Sequence, residues 1–251
     1  MTFRPPVDPV RVRNVPHGRV LVIAPHPDDE TLGPGGTLSL HIAQGDPVTV
    51  LFVASGVGGD PDGWFGREQL PAIRESEARE AARRLGIDKL VFLGYPDNLG
   101  EGDWRHVFGD LPEDRDEQRR ALVNGISTLV ETWISEHRPD IVYYPWEGEL
   151  NPDHWMVGQG IRNLLLTHPE RRIGIAWLGY EIWAACAPDT IVDVSCTMSR
   201  KLDATNAYAS QLVYRDYAPH ITGLARYRAL FLEAGSTYGE AFTGHYLRLT
   251  P

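Results

Sequence analysis

Basic residues are scarce: 24 lysines and arginines against 34 aspartates and glutamates leave a formal charge of −10. No basic stripe remains for a polyanion, which argues against nucleic acid or an anionic membrane surface as the main partner and in favour of a small neutral or weakly charged ligand. Cysteine is rarer still. Cys186 and Cys196 have neither a metal-type spacing nor the pattern of a disulfide framework, as suits a reducing cytoplasm. Long apolar runs are missing as well: no window approaches the ~18 residues of a membrane helix, and the N-terminal stretch MTFRPPVDPVRVRN lacks a signal-peptide core. The expectation is a cytoplasmic protein with no membrane insertion. With no internal repeat, low-complexity tract or linker, residues 1–251 are expected to form one domain around one substantial core.

What is present is alternation. Valine- and isoleucine-rich runs at Val20–Ala24, Val48–Ala54, Lys89–Leu93, Ile141–Tyr144 and Ile175–Tyr180 lack polar alternation, as strands buried on both faces do, and Ile191–Val194 is a further short strand. Helical patterns separate them. The stretch PAIRESEAREAARRLG has Pro71 at its start, Glu75/Arg79 and Glu80/Arg84 at i,i+4 spacing, and Gly86 at the C-cap position. Residues 117–137 align Leu122, Ile126, Leu129, Val130 and Trp133 on one stripe and stop before Pro139. A helix is expected from near Asn151, with Ile161, Leu164 and Leu165 inward, and two more over 198–211 and 220–233. This order predicts an α/β fold, a mostly parallel, doubly wound Rossmann-like sheet flanked by helices, with a C-terminal elaboration. Long polar, glycine-rich loops at 55–70 and 97–116 are lid candidates.

The concentration of charge is at residues 23–36, IAPHPDDETLGPGG, where a core strand delivers His26, Asp28, Asp29 and Glu30 into a glycine-rich turn. Neighbouring acids can stay ionised around a cation or share a proton. A cation needs more ligands, and the segment WEGELNPDHW after the fourth strand brings Asp153 and His154 to the same sheet edge. Two histidines and a carboxylate form a common catalytic zinc set, and imidazole favours zinc or another transition metal over magnesium. Plainer roles exist: a strand-terminal Asp often caps the next helix, and a lone histidine is often a surface residue. Capping accounts for one acid of HPDDE and leaves the others. The residues alone indicate a metal site and no particular reaction.

A hydrophobic strand followed by APHPDDE, and far downstream by PDH opening a helix, resembles the PIG-L/LmbE family of zinc-dependent N-acetylglucosaminyl deacetylases. RESEAREAARRLG, GYPDN, YEIWAACAPDTIVDVS and KLDATNAYASQ extend the likeness over most of the chain. The resemblance implies one zinc per chain, or another divalent transition metal, held by His26, Asp29 and His154. Asp28 becomes the general base, Asp153 an orienting carboxylate, and Arg74 and Asp97 the residues facing the sugar. The partner implied is a small-molecule amino-sugar substrate; a homo-oligomer is left open. Many members read His-Pro-Asp-His at the second motif, and here the first position is Asn151, which can donate a hydrogen bond but is no general acid. Asn-Pro-Asp-His also reads as N-cap, N1, N2 and N3 of a helix. His220 is the candidate for the missing histidine. Trp64, Phe65, Trp104, Trp146 and Trp155 are candidates for stacking on a sugar, and Glu30 has no assigned role. The alternatives are a metal-binding paralogue with a sugar-binding or regulatory role and little turnover, and a magnesium-dependent phosphoester hydrolase, against which the absence of a G-x-x-x-x-G-K-[ST] loop counts.

Overall fold

A computed structural model describes residues 8–97 and 114–244. Trp104, His106, His245 and all but the ends of the loop expected over 97–116 lie outside the described residues. Among the described residues, eight strands form one sheet: β1 (Val10–Val12), β2 (Val20–Ala24), β3 (Val48–Ala54), β4 (Lys89–Tyr95), β5 (Ile141–Pro145), β6 (Ala176–Tyr180), β7 (Thr190–Asp193) and β8 (Gly239–Thr243). Their order is β1-β7-β8-β6-β5-β2-β3-β4. The pairs from β6 through β5, β2 and β3 to β4 are parallel, and β1 pairs parallel with β7. β8 runs antiparallel to both of its neighbours, β6 and β7.

The helices are α1 (Asp29–Leu32), α2 (Gly35–Ala43), α3 (Leu70–Leu85), α4 (Arg115–His137), α5 (Pro152–Thr167), α6 (Met198–Thr205), α7 (Ala209–Leu212) and α8 (Ala218–Ala229). Alternate residues of β2 face opposite layers, and all are apolar because both layers are covered. Val20, Val22 and Ala24 join Leu38 of α2, Ala78, Ala81 and Leu85 of α3 and Ala204 of α6. Leu21 and Ile23 join Ile126, Val130 and Ile134 of α4 and Val157, Ile161 and Leu164 of α5. The sheet is thus wound on both sides, as expected.

The structure departs from the sequence expectation in three places. β1 and β8 were not anticipated: Val-Arg-Val is a short, partly exposed edge, and Gly-Glu-Ala-Phe-Thr mixes glycine with a charged residue. That glutamate, Glu240, is buried and accepts hydrogen bonds from the amides of Gly36 and Thr37 at 2.8 and 2.7 Å. Helix α2 begins inside the glycine-rich turn, where a Cβ on Gly36 would meet Val194 and Glu240, so the absent side chain lets the helix start abut the sheet. The helix expected over 198–211 breaks into α6 and α7 at Asn206–Tyr208.

α4 and α5 approach closely at Gly160, where an added Cβ would overlap Ile126 and touch the Val123 carbonyl. Gly160→Ala should therefore lower stability by about 1–3 kcal/mol through overpacking. Adding Ile126→Ala, which removes the Cγ2 nearest the new methyl, should cost less than the sum of the two single losses, because the two sites share one volume. Thermal unfolding of the single and double variants measures both.

The chain passes from β2 to β3 and β4 on one side, then returns to place β5 on the other side of β2. A crevice opens at the carboxyl ends of strands where such a reversal occurs, and ligands bind there in open α/β sheets. The segments after β2 and β5 are the HPDDE and NPDH stretches.

Candidate metal centre and active site

Pro25 ends β2, and the backbone turns so that Asp29 opens α1. The Asp29 carboxylate accepts from the His26 amide at 2.8 Å, and the same oxygen lies 3.4 Å from His26 Nδ1 and 3.1 Å from His154 Nε2. His154 reaches this point from the first turn of α5. Asn151 is the N-cap of that helix: its Oδ1 accepts from the amides of Asp153 at 2.9 Å and His154 at 3.4 Å, and Pro152 follows at N1. The cap orients the two residues that the site needs. Asn151→Ala should cost about 1 kcal/mol of stability, read as a drop in thermal midpoint, independently of any effect on turnover.

One donor atom from each of His26, Asp29 and His154 lies within 4.8 Å of the others, and all three residues are buried. Both ring nitrogens of His154 are buried without a hydrogen-bond partner, since its approach to Asp29 lacks the alignment of a hydrogen bond. Unpaired polar atoms in a core are costly unless something else binds them, and a metal ion is such a partner. The far sides of both rings meet carboxylates. His26 Nε2 lies 2.9 Å from Asp153, and His154 Nδ1 lies 3.6 Å from Glu149. Imidazoles backed by carboxylates in this way are typical of metal ligands. Glu149 had no place in the sequence expectation; it is held by the amides of Ile182 at 2.6 Å and Trp183 at 3.0 Å, contacts no local spacing announces.

Asp28 points elsewhere. Its carboxylate meets Arg74 Nη2 at 2.9 Å, and its backbone has φ 141°. Burial pushes its carboxyl up to about 7 against the pull of Arg74. Burial also acts on Asp29, but the His154 and His26 rings overcome it and hold Asp29 well below the usual carboxylate range. For His154, burial lowers the basicity and the Asp29 carboxylate more than reverses this, to about 9. His26 is raised well above its ordinary value because Asp153 and Asp29 outweigh its burial. Four buried acids, Asp28, Asp29, Glu149 and Asp153, thus lie against two imidazoles and Arg74, an arrangement that draws positive charge to its centre. A metal cation supplies that charge when the imidazoles bind it unprotonated.

Arg74 is buried, and its guanidinium donates to Gly56 O at 3.0 Å and to Pro27 O besides facing Asp28. It does not pair with Glu77, which accepts from Ser210. Asp97 accepts from the amides of Gly56 and Gly58, both at 2.7 Å, and from Ser55 Oγ at 3.2 Å. Both residues line the site cavity; Asp97 and Arg74 Nη1 hold the 55–59 loop, while Arg74 Nη2 holds Pro27 O and Asp28. The cavity, about 220 Å³, is walled further by Asn151, Gln211, Trp183 and Tyr217. Trp183 and Tyr217 meet edge to face with centroids 6.1 Å apart.

His220 is a correction: it lines a neighbouring cavity with Ile221 and Leu224 on α8, outside the one that holds His26 and His154. The helix starts at Ala218, and His220, its third residue, lines that neighbouring cavity. The aromatic candidates need correcting too. Trp64 stacks on Tyr214, and Trp146 donates to Ala184 O at 2.8 Å; the site wall is formed by Trp183 and Tyr217 instead. Tryptophan content alone does not say which indole a fold turns inward. Glu30 finds its place here: Oε2 accepts from the Asp28 amide at 3.2 Å, and Oε1 accepts from the Tyr208 hydroxyl.

The chain is thus an open α/β sheet with a buried His-Asp-His group that could hold a metal ion at its strand-order reversal, and a separate carboxylate beside it. Residues 21–165 match the family described as "PIG-L: GlcNAc-PI de-N-acetylase", and the chain belongs to that family. It is 31% identical over 201 residues to "Probable N-acetyl-alpha-D-glucosaminyl L-malate deacetylase 2" of Bacillus cereus, covering 76% of this chain and 83% of that protein. Diacetylchitobiose deacetylase of Thermococcus kodakarensis is 29% identical over 254 residues, 93% of this chain and 86% of the relative. Among solved structures, the N,N'-diacetylchitobiose deacetylase of Pyrococcus horikoshii with its inhibitor MPG superposes at TM-score 0.66 with 26% identity, covering 90% of this chain and 83% of that one. A deacetylase of the teicoplanin biosynthesis pathway, at TM-score 0.71 and 19% identity over 90% of this chain and 97% of its own, shares the fold. No helix among the described residues is long and apolar enough to cross a membrane.

Proposed function

We propose that this chain is a zinc-dependent amidohydrolase that removes the N-acetyl group from an N-acetylglucosamine-type amino sugar or its glycoconjugate. The observation that carries it is the convergence of His26, Asp29 and His154, with both ring nitrogens of a buried histidine unpaired. Two imidazoles and one carboxylate suit zinc or a similar transition metal, and they weigh against a magnesium phosphoester hydrolase, which prefers oxygen ligands. Held by those three residues, the metal would supply Lewis acidity toward a water and toward the amide carbonyl.

The rest is the work of the chain. Asp28, outside the donor cluster, accepts the proton of the attacking water and returns it to the departing amine. Arg74 fixes the carboxylate for that transfer. Asp153 fixes the orientation of His26, and Glu149 backs His154. Asn151, whose Oδ1 is engaged in the cap, offers its amide nitrogen as a donor toward the carbonyl oxygen. Trp183 and Tyr217 offer faces against which the sugar ring stacks.

Metal analysis of the purified protein, paired with release of acetate and free amine from simple N-acetylglucosamine conjugates, tests the proposal. A protein without a transition metal sinks it. Asn151, a cap with no proton to give, favours a second reading as a sugar-binding paralogue with little turnover. Zinc without release on a broad panel of conjugates would support that reading, and a large gain in turnover from Asn151→His would show that an acid is missing.

A further inference from the structure

Glu30 lies one residue from the metal donors, yet it faces away from them, and its carboxylate is enclosed. Glu30 and Tyr208 are 1% and 0% exposed. One oxygen accepts from Tyr208 Oη and the other from the backbone amide of Asp28. Asp28 adopts φ 141° and ψ −25°, a conformation that L side chains rarely take and that costs about 1–3 kcal/mol unless its surroundings enforce it.

The enforcement comes from both sides of the residue. On the carbonyl side, Asp28 O accepts from Thr31 N at 3.0 Å, Leu32 N at 2.9 Å and Thr31 Oγ1 at 2.8 Å. On the amide side the grip is Glu30. The strained turn sends two adjacent carboxylates in different directions: Asp29 toward the two histidines, and Asp28 toward Arg74. Two consecutive acids can hold different offices only while that divergence lasts.

We propose that Glu30 and Tyr208 are positioning residues for the reaction, a tether that holds the Asp28 backbone in its strained turn and so keeps the base out of the metal's donor set. The tether rests on the reading of Asp28 as the base. Tyr208 sits between α6 and α7, beyond the residues that match the family profile, so the device joins the C-terminal part of the chain to the first motif.

Glu30→Asp shortens the tether, Tyr208→Phe removes its anchor, and Glu30→Gln retains it, with Oε1 accepting from the Asp28 amide and Nε2 donating to Tyr208 Oη. In the zinc-loaded protein, Glu30→Asp and Tyr208→Phe should keep one metal per chain and KM near wild type, while kcat falls about 100-fold, the cost of a base displaced by roughly 1 Å. Glu30→Gln should recover kcat at least tenfold over Glu30→Asp on the same scale. Unchanged kcat in the first two, metal lost in step with kcat, or Glu30→Gln as impaired as Glu30→Asp would each overturn the tether. A crystal structure of Tyr208→Phe in which Asp28 keeps its positive φ and its Arg74 contact overturns it without reference to activity. Full turnover by Asp28→Asn would instead sink the reading of Asp28 as base.

Discussion

Asp28→Asn is expected to bind its metal as the parent does and to lose turnover by about 10²–10⁴-fold, the span that a positioned acid or base contributes. Asparagine matches aspartate in shape and retains an oxygen for Arg74, so the loss reflects the missing proton acceptor. Asp28 also lies outside the buried donor cluster, which is why metal content should not change. Metal analysis and steady-state rates on one N-acetylglucosamine conjugate measure the two effects together. If Asp28→Asn loses the metal while Asp29→Asn keeps it, the roles of the two acids are exchanged.

His154→Ala is expected to do the opposite, removing metal and turnover in parallel. The ring fills a fully buried position between Asp29 and Glu149, and alanine leaves those carboxylates facing each other across a gap with no donor. The site then has one imidazole and one carboxylate, fewer than the three protein ligands of catalytic zinc sites. Asp153→Ala should be milder, weakening metal affinity about 10–100-fold, because it removes only the partner of His26. Competition with a chelator ranks the three proteins. If His154→Ala kept a full equivalent of metal, the donor set would be wrong.

Much of this architecture was legible in the sequence because burial on both faces leaves a plain signature. β2 and β5 are uninterrupted apolar runs, β3 is interrupted only by Thr49, and the helix capped by Gly86 has its glycine where the left-handed conformation requires it. Asn151 likewise performs the capping that Asn-Pro-Asp-His implies. The misses share one cause: they depend on contacts between residues far apart in the chain. Glu240 looks like an exposed strand residue until Gly36, Thr37 and Lys201 surround it. Glu149 acquires a role only once the amides after β6 arrive. His220 faces a different cavity, one whose walls include Gly33, Tyr180 and Glu240 from distant parts of the chain.

The first motif is gripped from the far end of the chain. Lys201 Nζ donates to Gly33 O at 2.7 Å, Thr197 Oγ1 donates to Gly36 O at 2.9 Å, Glu240 accepts from Gly36 and Thr37, and Tyr208 holds Glu30. Those contacts span sequence separations of 161 to 204 residues. The C-terminal segment therefore completes the geometry of the first motif: the turn that carries Asp28 and Asp29 is held in place only where these distant parts of the chain meet.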